Sequence, residues 1–318
     1  MQTYIEQQLQ HLNWDIAPQQ LYHPIGYALE SGGKRIRPQL VLMGCELFGG
    51  TREAALPAAL AIEVFHNFTL LHDDIMDNAD MRRGRPTVHR KWDDNTAILS
   101  GDAMMIKAYE FLEQLPDEQF VKIVPLFTKT ALQVCEGQQL DIDMERCEAA
   151  TLDEYFEMIR LKTAVLLAAA LKMGAIVAGA DATDAQLLYD FGIDIGIAFQ
   201  LRDDYLDTFG NAATFGKRIG GDILCGKKTF LLITALDRAD DTQRQIIKQT
   251  IADKQLDDAQ KIAIVTKFYQ QFEADKACAN AMNERYQQAL THLQRISGHK
   301  NDKEPLVTLA AKLMGRNT

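Results

Sequence analysis

The stretch Leu70-Leu71-His72-Asp73-Asp74-Ile75-Met76-Asp77 carries aspartates at the end of an apolar segment. Asp73 and Asp77 lie four positions apart, so on an α-helix they share one face, about 40° from each other. Two like charges at that spacing destabilise a helix unless a cation lies between them. Magnesium is such a cation, because it binds one or two carboxylates together with phosphate oxygens and waters. The stretch therefore predicts a helix with a metal site at its polar end.

A second stretch, Gln200-Leu201-Arg202-Asp203-Asp204-Tyr205-Leu206-Asp207, repeats the spacing of the first. Asp203 and Asp207 again share one helix face. A single acidic motif of this kind is most often a solvated helix surface. Two copies with equal internal spacing, both flanked by apolar residues, indicate a pair of metal sites on two core-forming helices.

Helical periodicity extends outward from both motifs, and no strand-like alternation persists. Pro38 is expected to open the third helix at its first position, and Pro57 to start the long helix that carries the first motif. The sequence lacks a Pro- or Ser-rich linker, a low-complexity tract and a short repeat, so we expect an all-α fold in a single domain, residues 1–318. Other helices are expected at residues 3–12, 19–30, 97–115, 121–144, 152–178 and 184–209, and from residue 229 onward.

The composition excludes several classes of protein. The chain has 318 residues, 47% of them hydrophobic and only 8 of them proline, which favours a helical protein with a large core. A formal net charge of -10 argues against a nucleic-acid partner. The 5 cysteines are scattered and form no Cys-x-x-Cys pair, so neither a disulfide framework nor a structural zinc site is expected.

No targeting segment is expected at the start of the chain, because residues 1–6 lack a basic region followed by an apolar stretch. The most hydrophobic segment, Ala164 to Ala180, is interrupted by Lys172 and is shorter than a membrane span of about 20 apolar residues. We interpret it as a buried core helix, and we expect a cytoplasmic protein without a transmembrane segment.

The chain also supplies cations that match an anionic substrate. Lys34, Arg35 and Arg37 lie in a glycine-containing loop before a helix, where backbone N–H groups and the helix dipole favour phosphate. Lys162 lies in an apolar segment, and a lysine buried there needs an anionic partner. Further cations follow the two aspartate motifs: Arg82, Arg83, Arg85, Lys217, Lys227 and Lys228. For some of the basic residues an ordinary surface position is an equally good interpretation: Arg35, Arg85, Arg90, Lys91 and Arg218.

The spacing Glu63-x-x-His66 is typical of one half of a di-iron carboxylate site. That site requires a second Glu-x-x-His and two further glutamates on other helices, and the sequence has no second copy. His66 precedes Asp73 by seven positions, which places it two turns below on the same helix face. There it can donate a hydrogen bond to a diphosphate oxygen, or it is a histidine satisfied within the core.

Together these residues closely resemble the trans-prenyltransferase family, also called the polyprenyl synthetases. The resemblance spans roughly residues 20–240, and the combination of motifs is highly specific. The matching segments are Gly32-Gly33-Lys34-Arg35-Ile36-Arg37-Pro38, Leu71 to Asp77 with Arg82-Arg83-Gly84, Gly101-Asp102, Gly137-Gln138, Leu161-Lys162-Thr163, Phe199 to Asp207, Phe215-Gly216-Lys217, Gly221-Asp222-Ile223 and Gly226-Lys227-Lys228-Thr229.

The resemblance implies a bundle of long helices around a central cavity, with the two aspartate-rich helices facing each other at its mouth, usually as a homodimer. It implies a short-chain synthase that joins isopentenyl diphosphate head-to-tail to an allylic diphosphate of C5 to C15 and releases pyrophosphate. Three magnesium ions are implied in each active site. Asp73, Asp77 and Asp203 would bind them directly, and Asp74, Asp204 and Asp207 would bind them directly or through another ligand.

The same resemblance implies roles for the other site residues. Thr163 and Gln200 would lie near the reacting carbons and, with Lys162, Asp73 and Asp203, would form the catalytic set. The allylic diphosphate would be held by Arg82, Lys162, Lys217 and Lys227, with Lys228 as the alternative to Lys227. Isopentenyl diphosphate would be held by Lys34, Arg37, His66 and Arg83, with Thr163 and Gln200 completing the substrate-binding set.

Residues before the first aspartate motif set the product length in this family. Phe68 lies five positions before Asp73 and Thr69 lies four before it, with no insertion inside the motif, a pattern similar to short-chain synthases that make C15 to C20 products. On an ideal helix, however, Thr69, Phe65 and Ile62 project more directly below Asp73 than Phe68 does. Phe68, Thr69 and Phe65 are therefore all candidates for the floor of the cavity.

Three alternatives to a short-chain synthase differ from it at specific residues. A longer-chain polyprenyl diphosphate synthase differs only in the depth of the cavity. A terpene cyclase would lack the isopentenyl diphosphate site and would usually replace the second aspartate motif, so Lys34, Arg37 and Arg83 argue against it. A non-catalytic subunit of a synthase would be expected to lose an aspartate motif, and both are intact.

Overall fold

The computed structural model describes residues 1–210, 219–297 and 300–315. The all-α prediction is confirmed, since the strands of the described chain form only one short hairpin, β1 (Met81–Arg82) and β2 (Arg85–Pro86). The helices are α1 (Gln2–Gln10), α2 (Gln19–Leu29), α3 (Ile36–Leu47), α4 (Arg52–Met76), α5 (Val88–Lys91), α6 (Asp94–Leu112), α7 (Asp117–Arg146), α8 (Leu152–Ile159), a π-helical turn (Arg160–Ala164), α9 (Val165–Val177), α10 (Ala182–Phe209), α11 (Gly221–Cys225), α12 (Phe230–Arg238), α13 (Asp241–Ala252), α14 (Asp258–Gln271), α15 (Ala274–Arg295) and α16 (Lys300–Leu313).

The chain forms two compact units, and the prediction of a single domain stays a prediction. The first unit comprises residues 1–129, 169–189 and 297–302. The second comprises residues 130–168, 190–296 and 303–318. Each carries one aspartate motif.

In the first unit, α4 packs against α3 and α6. Its apolar face, including Ala58, Ile62 and Phe65, is completely buried. The predicted start of this helix at Pro57 is wrong. The Thr51 hydroxyl caps the helix by accepting a hydrogen bond from the Ala54 N–H, so α4 begins at Arg52 and accommodates Pro57 in its second turn.

Two other predicted helix boundaries are wrong for local reasons. Arg35, in the left-handed region at φ 48°, is the N-cap of α3, so the helix begins at Ile36 and Pro38 is its third residue rather than its first. The helix predicted over residues 152–178 is not continuous, because Arg160–Ala164 forms a turn of π-helix between α8 and α9. Such turns occur frequently at functional sites.

In the second unit, α10, α12, α14 and α15 share a buried apolar cluster that includes Leu201, Leu231, Val265 and Tyr269. Leu201 lies within the second aspartate motif, so this core fixes the backbone that carries the motif. The apolar segment Ala164 to Ala180 is largely buried, as predicted.

One helix of the described chain, α4, is long and apolar enough to cross a membrane, and 67% of its most hydrophobic window is buried inside the protein. That burial is typical of the core helix of a folded domain, and the polar end of α4 carries the first aspartate motif.

Candidate active site

The first aspartate motif occupies the last turn of α4. Asp73 is partly exposed and Asp77 caps the helix in a helical conformation, so the four-residue spacing places both on one face. Asp74, 5% exposed, accepts a hydrogen bond from Arg82 Nε at 2.7 Å. Arg82 Nη2 also lies 3.4 Å from Asp73 Oδ2. Burial raises the pKa of Asp74 and Arg82 opposes that rise, so Arg82 supplies positive charge beside two adjacent carboxylates.

The β1–β2 hairpin separates two cations that are adjacent in sequence. Arg83 and Gly84 both have positive φ, 52° and 77°, which is the conformation of a tight two-residue hairpin turn. Arg82 therefore contacts the carboxylates of α4, while Arg83 Nη1 donates to the carbonyl oxygen of Gly32.

The cations predicted for isopentenyl diphosphate surround one cavity of the first unit, about 490 Å³ in volume. Lys34 and Arg37 reach it from the start of α3, His66 from α4, and Arg83 from the hairpin turn. The charges of Lys34, Arg37 and Arg83 give this cavity the electrostatics of a diphosphate site.

His66 is the neutral member of this group. Burial, and then the charges of Arg37 and Arg83, hold the pKa of His66 well below 6.5. Its Nε2 therefore accepts a hydrogen bond from Arg37 Nη1 at 3.0 Å, which leaves the proton on Nδ1. Burial also lowers the pKa of Arg37 to about 10, and its Nε has no hydrogen-bond partner although it is buried. A buried charged donor without a partner is rare in proteins, so Arg37 fits an anionic ligand.

Arg35 is not the surface cation that was one interpretation of it. Its side chain is 1% exposed and donates to Glu63 Oε1 at 2.6 Å and Glu6 Oε1 at 2.8 Å. Glu63 in turn accepts from Asn67 Nδ2 at 3.0 Å, so Glu63 belongs to this network, whereas His66 pairs with Arg37. Arg90, by contrast, is a surface cation paired with Asp80.

The candidates for the cavity floor occupy different environments. Phe65 is completely buried, and its ring lies 5.3 Å from that of Phe127. Phe68, 8% exposed, contacts the rings of Phe65 and His72. Thr69 is partly exposed, and its hydroxyl donates to the carbonyl oxygen of residue 66 in the same helix.

In the second unit, a chain of hydrogen bonds connects the second aspartate motif to the predicted catalytic residues. Asp204 is 3% exposed, and its two carboxylate oxygens accept from Tyr155 Oη at 2.6 Å and Gln200 Nε2 at 2.9 Å. Thr163 Oγ1 donates to Gln200 Oε1 at 3.3 Å. Asp204 therefore orients the Gln200 amide, and both of its carboxylate oxygens accept hydrogen bonds. Asp203 and Asp207 are more exposed than the buried Asp204.

Lys162 projects from the π-helical turn and its Nζ lies 2.5 Å from Asp141 Oδ2, which is the anionic partner its apolar context predicted. Gly137, one turn before Asp141 on α7, allows this approach, because a Cβ there would overlap the backbone of Lys162. No motif in the sequence indicates a role for Asp141 or Tyr155, and only their contacts do so.

Lys227 and Lys228 have different surroundings. Although burial opposes the charge of Lys227, the carboxylates of Asp204, Asp222 and Asp141 raise its pKa. Lys228 Nζ donates to the carbonyl oxygen of Glu145 at 2.9 Å. The structure thus places Lys227, rather than Lys228, among the aspartates. The predicted residues Lys217 and Arg218 lie outside the described residues.

Asp222, which lies in the matching Gly-Asp-Ile segment but was not predicted as a site residue, contacts the second motif. Its N–H donates to Asp207 Oδ2 at 3.0 Å. Burial, reinforced by the charges of Asp204, Asp207 and Asp203 and opposed by Lys227, raises the pKa of Asp222 to about 7. This excess of negative charge fits a divalent cation.

Magnesium fits these donor sets without a preformed cage. In the described residues, no three His, Cys, Asp or Glu side chains converge to hold a metal. Magnesium usually takes one or two protein carboxylates and completes its octahedron with phosphate oxygens and waters. Partly exposed carboxylates at four-residue spacing supply that number of protein ligands on each helix.

Comparison with known proteins agrees with this geometry. The polyprenyl synthetase family model matches residues 18–269. Geranylgeranyl diphosphate synthase of Methanosarcina mazei is 44% identical over 223 residues, 70% of this chain and 69% of the relative. Geranylfarnesyl diphosphate synthase of Natronomonas pharaonis is 40% identical over 244 residues, 71% of this chain and 72% of the relative.

A solved structure extends the match to nearly the whole chain. Geranylgeranyl pyrophosphate synthase from Corynebacterium glutamicum, complexed with isoprenyl diphosphate and magnesium, superimposes with a TM-score of 0.88 at 30% identity and covers 99% of this chain and 98% of that one. With its two aspartate motifs, its cation-lined cavity and these matches, the chain belongs to the polyprenyl synthetase family.

Proposed function

We propose that this chain condenses isopentenyl diphosphate with allylic diphosphates, in a magnesium-dependent reaction, to a product of C20. The chain is a prenyltransferase of the short-chain trans-prenyl diphosphate synthase type. The observation that carries the proposal is the cavity lined by Lys34, Arg37, His66 and Arg83, because a second diphosphate site distinguishes condensation from cyclisation.

We assign isopentenyl diphosphate to that cavity. Lys34, Arg37 and Arg83 supply the charge that two phosphate groups require. Neutral His66 accepts from Arg37 and retains its Nδ1 proton, so it orients the guanidinium without adding a further charge. The side chains hold this substrate by its diphosphate, which leaves its double bond free to attack.

We assign the allylic diphosphate to Arg82, Lys162, Lys217 and Lys227. Fixed cations around the leaving pyrophosphate stabilise the charge that develops as its bond to carbon breaks. The Gln200 amide, held by Asp204, directs its carbonyl oxygen toward the Thr163 hydroxyl. The Gln200 carbonyl oxygen and the Thr163 hydroxyl oxygen both carry partial negative charge, which can stabilise an allylic cation. No protein nucleophile is required.

We further propose that the aspartates bind up to three magnesium ions, with Asp73, Asp77, Asp203 and Asp207 as direct ligands. When bound, magnesium supplies Lewis-acid stabilisation of the pyrophosphate oxygens. Asp74 and Asp204, whose oxygens are engaged by Arg82, Tyr155 and Gln200, support these ligands indirectly.

The product length, assembly and location are part of the proposal. The two relatives are named for products of C20 and C25. The sequence predicts a product of C15 to C20, and C20 is the length that both ranges share. Exposed apolar residues on α6, with Leu99 at 59% and Ile106 at 65% exposure, support a homodimer that buries this face. The burial of α4, the one described helix that is long and apolar enough to cross a membrane, supports a cytoplasmic enzyme.

The test is a reaction of the purified protein with magnesium, isopentenyl diphosphate and each of the C5, C10 and C15 allylic starters. Mass spectrometry of the extracted products should show C20 from every starter that is accepted, and a chelator should abolish the reaction. Folded protein that makes no condensation product from any starter would overturn the proposal, and a dominant product beyond C25 would assign it to the longer-chain synthases.

A further inference from the structure

Two residues that line the cavity of the first unit are not among those to which we assign a diphosphate. Arg35 and Glu63 are both buried, and they form an ion pair at 2.6 Å. The other two nitrogens of Arg35 donate to Glu6 Oε1 at 2.8 Å and to the carbonyl oxygen of Leu29 at 2.5 Å. Every nitrogen of this guanidinium thus has a protein partner, so Arg35 is committed to the protein rather than to a diphosphate.

The network joins the loop before α3 to three helices. Glu6 belongs to α1, Leu29 to the end of α2, and Glu63 to the middle of α4. A further contact from α1, Gln2 Nε2 to the carbonyl oxygen of Gly33 at 3.1 Å, holds the same loop two positions before Arg35. Arg35 itself has a left-handed backbone, which a residue with a side chain adopts only when its surroundings enforce it.

Fixing Arg35 also fixes its neighbours. Lys34 is adjacent to it and Arg37 follows two positions later, at the start of α3, and both line the cavity. A change in the backbone of Arg35 would therefore redirect both cations. Glu63 lines the same cavity from α4 and is itself held by Asn67 Nδ2 at 3.0 Å.

Charge balance gives Glu63 a second effect on the same cavity. Burial and the charge of Arg35 lower the pKa of Arg83, burial and the charge of Arg83 lower the pKa of Arg37, and Glu63 opposes the shift of both. A buried carboxylate is thus needed to assemble three guanidinium groups around one small volume.

We propose that Glu63 is a positioning residue for isopentenyl diphosphate, acting through the buried Arg35 to hold Lys34 and Arg37 on the cavity wall. The inference rests on the proposed function, because it assigns a residue to one of the two substrates of that reaction. Glu63 touches no reacting atom, so its effect falls on binding of one substrate rather than on the chemical step.

The test is steady-state kinetics of Glu63→Gln, with each substrate varied at saturation of the other. The KM for isopentenyl diphosphate should rise roughly 10- to 100-fold, the range that small misplacements of binding groups produce. The KM for the allylic diphosphate should stay the same, and kcat at saturation should change less than about threefold. Glu46→Gln is the matched control, because it breaks an ion pair with Arg52 in the same unit away from the cavity, and both KM values should stay at the wild-type level.

A purely structural role would give a different pattern. Partial unfolding lowers the active fraction and so lowers kcat with both KM values unchanged, and that result would overturn the proposal. If Glu63→Gln does not fold, Glu6→Gln removes the partly exposed partner of the same guanidinium. It should raise the same KM by about two- to fivefold, and an unchanged KM would again overturn the inference. The wild type is measured in the same experiment. An inactive wild-type enzyme would contradict the proposed function. An active wild type, with variants whose KM for isopentenyl diphosphate is unchanged, would contradict only the role of Glu63.

Discussion

Product length offers a prediction whose direction and size follow from α4. The helix is continuous from Arg52 to Met76, so helical spacing gives the approximate arrangement of the positions below Asp73. Thr69 lies about 6 Å below Asp73 and about 40° around the axis, whereas Phe68 lies about 140° around it. Thr69 is partly exposed, while Phe68 is 8% exposed and packs on the rings of Phe65 and His72. Thr69 is thus the candidate directly under the motif, and Phe68 is the candidate for a lateral wall.

Two opposite substitutions separate these positions. Phe68→Ala removes a phenyl ring, which is about the size of one five-carbon unit, so we expect the main product to grow from C20 to C25. The lost packing should cost about 3 kcal/mol of stability. Thr69→Phe adds a ring under the motif, and we expect the product to shorten to C15.

The assay is mass spectrometry of the products formed from isopentenyl diphosphate and the C10 starter, at conversions low enough to compare distributions. Phe268→Ala is the control, because this ring stacks on Phe272 in the second unit and its loss should lower stability without changing product length. Unchanged products in Phe68→Ala would remove Phe68 from the wall. Unchanged or longer products in Thr69→Phe would refute the helical argument itself.

Three further predictions concern groups with defined contacts. Burial, and then the charge of Arg37, hold the pKa of His66 well below 6.5. As the pH falls below 6.5, the unfolded chain therefore gains a proton that the folded chain excludes, and the free energy of unfolding should fall by up to about 1.4 kcal/mol per pH unit. In urea unfolding experiments, His66→Gln should lack this dependence on pH. Tyr155→Phe removes the 2.6 Å hydrogen bond to buried Asp204, so the melting experiment should show a loss of about 1.5–3 kcal/mol and the condensation assay a lower kcat. A Cβ in Gly137→Ala overlaps the backbone of Lys162, so kcat should fall and the melting temperature should drop by several degrees for roughly 1–3 kcal/mol of strain, and wild-type values for both would contradict this contact.

Much of the fold and of the site could be predicted because its signals are local. The four-residue spacing of Asp73 and Asp77 is a property of one helix, and it survives in the structure without change. The cations near Gly32 and after the first motif are also local, and four predicted residues line one cavity. Helix ends were predicted less well where a capping side chain, as at Thr51, competed with the expectation that proline starts a helix.

The remaining features depend on partners distant in sequence. By its residue type alone, Arg35 is expected to be a surface cation. Its ion pairs with Glu6, 29 positions away, and Glu63, 28 positions away, make it a buried residue that fixes the loop. Tyr155 is 49 positions from Asp204, and no motif connects them. A single sequence gives the charge of such residues but does not pair them.

The central claim is that two separate cation sets serve two different diphosphates, and paired kinetics test it most directly. Arg37→Gln and Lys227→Met are compared with the surface control Arg52→Gln, measuring the KM of both substrates in each folded variant. The account predicts that Arg37→Gln raises the KM for isopentenyl diphosphate alone and that Lys227→Met raises the KM for the allylic diphosphate alone, each by roughly tenfold or more. Equal increases for both substrates in each variant, or the reverse assignment, would contradict it.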